Sequence, residues 1–64
     1  MKYEIEIRPD IDCPTTHSVG IVTSRGRTYA CTWAGTPSRV VVEATWRDER
    51  RAFRPFDTTT GRYL

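Results

Sequence analysis

The chain has 64 residues, with ten basic side chains against eight acidic ones and a formal net charge of +2. A chain this short buries only about 60% of the surface its unfolded form exposes, which predicts one small domain, residues 1–64, and leaves little room for the enclosed pocket of a small-molecule enzyme. No apolar run approaches the roughly 20 residues of a membrane span, and the N-terminus starts on alternating charge rather than an apolar leader, so the expectation is a cytoplasmic protein with no membrane partner.

The charge is unevenly placed. Residues 1–35 balance Lys2, Arg8, Arg25 and Arg27 against Glu4, Glu6, Asp10 and Asp12, so the net positive charge sits in residues 36–64. All but one of the basic residues are arginine, whose planar fork pairs with carboxylate or phosphate and stacks on aromatic rings. Arginine codons are also rich in G and C. The bias therefore suits an accessory protein of a GC-rich bacterium or its phage.

Lys2 to Arg8 alternates strictly, with Tyr3, Ile5 and Ile7 on one face and Lys2, Glu4, Glu6 and Arg8 on the other. This is the pattern of a half-buried strand whose charged face discourages edge pairing, and Pro9 ends it. Asp10 to Thr16, rich in Asp, Pro and Thr, reads as a loop.

Two strands then meet at Thr23-Ser24-Arg25-Gly26-Arg27-Thr28. A two-residue loop at Arg25-Gly26 sets Val22 opposite Tyr29 and Gly20 opposite Cys31, and strands Val19 and Ile21 on the other face. A three-residue loop, with Gly26 left-handed in a bulge, pairs Ile21 with Tyr29 and Val19 with Cys31. The second register gathers Val19, Ile21, Tyr29, Cys31 and Trp33 on one face, and it is the one expected if a single face is buried.

After a turn at Ala34 to Ser38, two signals compete. Thr36-Pro37 resembles a helix start, and Asp48 to Arg51 would suit a solvated helix face. Against this, Val40-Val41-Val42 is a β-branched run, and as a strand it aligns Val40, Val42, Ala44 and Trp46 on one face. The strand reading is preferred, with a turn at 47–50. Arg51 to Phe56 contains Pro55, which suits an edge strand, and Asp57 to Gly61 is a turn before a short return at 62–64. The fold expected is all-β, a small antiparallel sheet curled into a barrel or sandwich of five to six short strands; the alternative is α+β with one helix at about 37–51.

Chemistry-bearing residues are sparse. Asp10, Asp12, Cys13 and His17, with Cys31 from the hairpin, could supply zinc ligands or a cysteine nucleophile. They lack a Cys-x-x-Cys pair and an evident fourth structural ligand, so neither a metal, a cofactor nor a catalytic site is expected. Both cysteines are expected to remain thiols in a reducing compartment. The partner-binding candidates are Trp46, Arg47, Arg50, Arg51, Phe53 and Arg54, which combine the side chains enriched at protein interfaces. The expectation is a non-enzymatic protein-binding module, one that inhibits or modulates a host protein and takes no small-molecule substrate. The alternative is a nucleic-acid-binding β-barrel that stacks bases on an exposed ring between arginines.

Overall fold

A computed structural model describes residues 2–64. Five antiparallel strands form one sheet in chain order: β1 (Glu4–Pro9), β2 (His17–Ser24), β3 (Arg27–Ala34), β4 (Arg54–Asp57) and β5 (Arg62–Tyr63). A helix, α1 (Arg39–Asp48), and a 3-10 turn at Arg50–Ala52 lie between β3 and β4. The mostly β, five-stranded antiparallel character agrees with expectation. The sheet stays open, however, because the β4–β5 turn reaches the β1 side through side chains and not through a ladder. Arg8 donates to the carbonyl of Thr58 at 3.1 Å, and Arg62 meets Asp12 at 3.5 Å. Among the described residues no helix is long and apolar enough to cross a membrane.

The organising strand is β2. Ser18 to Val22 are consecutively buried, which alternation forbids for a strand with one wet face and which a strand covered on both faces requires. On one face, Val22 packs with Val42, Trp46 and Phe53, bordered by Tyr3, Ile5, Ile7, Tyr29, Cys31 and Trp33. On the other, Val19 and Ile21 pack with Ala30 and Phe56, bordered by Tyr63. The first face is covered by α1 and the second by the β4–β5 hairpin.

This two-sided burial corrects the hairpin register. Ser24 pairs with Arg27, Val22 with Tyr29 and Gly20 with Cys31, so the loop is the two-residue Arg25-Gly26 and not a three-residue bulge. Both loop residues have positive φ, 55° and 75°, the pattern of a type I′ turn. Val19 and Ile21 are not stranded, because a second core receives them.

The strand expected at 40–47 is a helix. Ser38, two residues after the expected cap at Thr36, accepts from the Val41 amide at 3.2 Å, and the Glu49 amide closes the far end on Thr45 at 2.7 Å. The β-branched run is tolerated because it does not act as a core run. Val42 and Trp46, one turn apart, are buried, while Val40 is 73% and Val41 45% exposed. Covering the apolar sheet face outweighs the modest helix propensity of valine. Helix and sheet are close where Gly20 lies: a Cβ there would stand 2.7 Å from the Trp33 ring and 2.9 Å from Val42.

Pro55 does not place its strand at an edge. β4 lies between β3 and β5, but its ladder to β3 has only two residue pairs, Tyr29 with Pro55 and Ala30 with Arg54. So short a ladder tolerates a residue without an amide hydrogen.

Candidate functional site: an arginine-rimmed cleft beside Trp46

The arginine-rich segment named from sequence does not form one patch. Trp46 and Phe53 are core residues, 2% and 6% exposed, stacked edge to face at 5.2 Å. Arg47, Arg50, Arg51 and Arg54 are all exposed, and the fold separates at least three of them. Arg54 lies on the hairpin-covered side, its guanidinium 4.8 Å from the centre of the Tyr63 ring. Arg47 stands near Tyr3, whose phenol its charge pulls downward against a larger upward shift. That upward shift comes first from the hydrogen bond Tyr3 donates to Glu43 at 2.5 Å, then from burial and the Glu43 charge.

Arg50 has a different setting. Its guanidinium lies over the Trp46 ring at 3.9 Å, and its Nε donates to the Trp46 carbonyl at 3.2 Å, in the turn that ends α1. The side chain is thereby held by a stack and a hydrogen bond while its terminal nitrogens stay available. It shares a cleft of about 630 Å³ with Ser24, Arg25 and Arg27 of the β2–β3 hairpin, alongside Tyr29, Trp46 and Phe53. Three arginines from two distant parts of the chain thus line one concavity, and no acidic residue lines it. The Trp46 indole Nε1 is buried without a hydrogen-bond acceptor among the described residues.

The charge pairing elsewhere sharpens the contrast. Among the described residues the ion pairs are Arg8 with Glu6 at 2.8 Å and Arg62 with Asp12 at 3.5 Å. Among the described residues Arg25, Arg27, Arg47, Arg50, Arg51 and Arg54 have no carboxylate in salt-bridge reach, so Asp48 and Glu49 do not neutralise their neighbours by direct pairing. A second groove, beside Lys2, Tyr3, Glu4, Arg39 and Glu43, has both signs of charge. There Tyr3 is bonded to Glu43 and Arg39 donates to the Ile5 carbonyl at 3.0 Å, so Tyr3, Glu43 and Arg39 are already engaged within the chain.

The other sequence candidates stay apart. Cys13 is an exposed thiol in the β1–β2 loop, whereas Cys31 is a free thiol half-buried under α1, where burial pushes its pKa up. His17 is engaged through Nδ1 with the Thr16 hydroxyl at 2.7 Å. Among the described residues no three His, Cys, Asp or Glu side chains gather as a metal site would need.

Sequence reasoning named Arg50 and missed Arg25 and Arg27. The available signal was an arginine on each side of Gly26 at a two-residue turn. Reading it required the correct register and the knowledge that α1 ends beside that turn. Comparison with protein-family models, with curated proteins and with solved structures returned no match.

Proposed function

We propose that this chain is a non-enzymatic module that binds another protein through an acidic part of the partner's surface. The observation that carries this reading is the set of exposed arginines without internal carboxylate partners, three of them converging on one cleft. Arginine forks donate bidentately to carboxylates, and charge-assisted bonds of this kind are worth about 1.5–3 kcal/mol each. Arg50 is already held in place by Trp46, which lowers the entropy lost on binding.

One feature favours a protein over a nucleic acid. Single-strand binding by small β-proteins relies on open aromatic platforms, yet Trp46 and Phe53 are buried, and Arg50 and Arg54 lie over the Trp46 and Tyr63 rings. A bacterial or phage accessory protein that modulates a host protein fits this reading, with composition as its support.

The test is affinity capture from a lysate with and without nuclease, at low and moderate salt, using the wild type and the double variant Arg50→Ala with Arg51→Ala. The expected result is a protein partner that survives nuclease and is lost with the double variant, which stays folded although losing the Arg50 stack and hydrogen bond to Trp46 lowers its stability by about 1–2 kcal/mol. Capture that vanishes on nuclease treatment overturns the reading.

A further inference from the structure

We propose that the cleft between the β2–β3 hairpin tip and the end of α1 is an oxyanion subsite that takes a carboxylate of an acidic peptide segment, with Arg25 as a dedicated ligand residue. This rests on the protein-binding reading above and assigns it a contact point outside the segment 46–54.

Arg25 occupies a conformation that disfavours it. Its φ is 55°, and it is the only non-glycine residue with positive φ among those described. In a type I′ turn the first central position favours Asn, Asp or Gly, since a longer side chain in the left-handed region crowds its own backbone. Gly26, next to it, has positive φ at no such penalty, and a Cβ there would meet nothing within 4 Å. The turn thus carries the expected glycine at its second position and an unfavourable residue at its first. Local strain of this kind points to a role for the side chain that the fold itself does not supply.

The surroundings of Arg25 indicate the ligand. Arg27 from the same hairpin and Arg50 from across the cleft bring two further positive charges, and no acid lines the site to offset their repulsion. Trp46, whose ring also lines the cleft beneath the Arg50 guanidinium at 3.9 Å, reports on that charge, so a ligand drawn to Arg50 alters its surroundings. A site of three forked donors whose only side-chain acceptors are the Ser24 and Tyr29 hydroxyls, with no carboxylate among the lining residues, is built for an anion with several lone pairs. A carboxylate on an extended acidic segment meets that need without calling for an open ring on which to stack.

The experiment titrates the full chain with a capped oligoglutamate peptide and, separately, with an oligothymidylate of the same length. Affinity is read by calorimetry, and the two indole N–H resonances are followed by NMR, with Trp33→Phe assigning them. The peptide is expected to bind and to move the Trp46 indole resonance. Arg25→Asn should raise the melting temperature by a few degrees while weakening the peptide at least about tenfold, the loss of one charged contact. Arg62→Ala, whose partner is Asp12, should bind as wild type. An Arg25→Asn variant that binds the peptide as tightly as wild type overturns the subsite, and if Arg50→Ala still loses binding the protein-binding reading survives it. A wild type that ignores the peptide but moves the Trp46 resonance with the oligothymidylate overturns both.

Discussion

The two faces of the sheet are buried by different means. On the α1 side, four aromatic side chains (Tyr29, Trp33, Trp46 and Phe53) stack at centroid distances of 5.2–6.1 Å, and the helix approaches so closely that only glycine fits at position 20. On the hairpin side, Phe56 and Tyr63 cover Val19, Ile21 and Ala30, and side-chain ties hold the cover down: the Thr32 and Tyr63 hydroxyls at 2.7 Å and Arg8 on the Thr58 carbonyl. The cover itself is joined to β3 through only two residue pairs. The helix side is a rigid aromatic block able to hold Arg50 in place. The hairpin side is a lighter cover that can settle when its packing is disturbed.

The largest difference should appear on truncating the central aromatic of each face. Trp46→Ala should cost about 3–5 kcal/mol, at or beyond the upper end, because a helix braced on Trp33 and Gly20 cannot close into the cavity. For a domain of this size, whose total stability is on the order of 3–10 kcal/mol, that is enough to unfold much of the population. Phe56→Ala should fall at or below the lower end of the same range, because the hairpin can move inward. Urea melts giving the reverse order would break the comparison.

Adding volume gives the next effect. Gly20→Ala forces a methyl against the Trp33 ring and Val42 and should cost about 1–3 kcal/mol by overpacking. Sequence alone ranks this substitution as milder than Gly26→Val, since nothing in the chain reveals the helix above Gly20. Gly26→Val stands in open space and carries only the strain of a β-branched residue at positive φ, about 1–2 kcal/mol. Thermal melts in which Gly20→Ala is neutral would show that the helix is not held where it stands.

Removing one tie from the lighter cover should matter less. Tyr63→Phe deletes the hydroxyl that meets Thr32 and should cost about 1 kcal/mol while leaving the far-ultraviolet spectrum unchanged. The smallest effect is confined to high pH. Because the hydrogen bond to Glu43 raises the Tyr3 phenol, the fold retains the proton longer than the unfolded chain does. The stabilisation is complete below the ordinary tyrosine value of about 10 and is lost as pH rises through the folded value. Tyr3→Phe should therefore flatten the decline in melting temperature above that pH.

Much of the sheet was legible from the chain. β1 alternates as a half-buried strand must, and a turn stands within Thr23 to Thr28, where Gly26 and its polar neighbours put it. The register was not legible, because it was judged on the premise that one face is wet. The run Ser18 to Val22 contradicts that premise only once a second cover is known to exist. The helix was obscured by Val40 and Val41, whose exposure removes them from the core pattern and leaves Val42 and Trp46 as its buried residues. Within the site, Arg50 could be found by its neighbours in sequence. Arg25 and Arg27 join it only through topology, across more than twenty intervening residues.

Burial of β2 on both faces through a two-residue hairpin underlies both cores and the cleft, and cross-strand NMR contacts test it most directly. With Ser24 and Arg27 as the closing pair, Thr23–Thr28 and Ile21–Ala30 become the close pairs of the antiparallel ladder, where α-hydrogens of facing residues approach. Strong α-to-α Overhauser contacts between Ile21 and Ala30 and between Thr23 and Thr28 are the expected result. Ile21 facing Tyr29 instead would turn Val19 and Ile21 toward the helix, empty the second core and remove the arrangement of Arg25 and Arg27 beside Arg50.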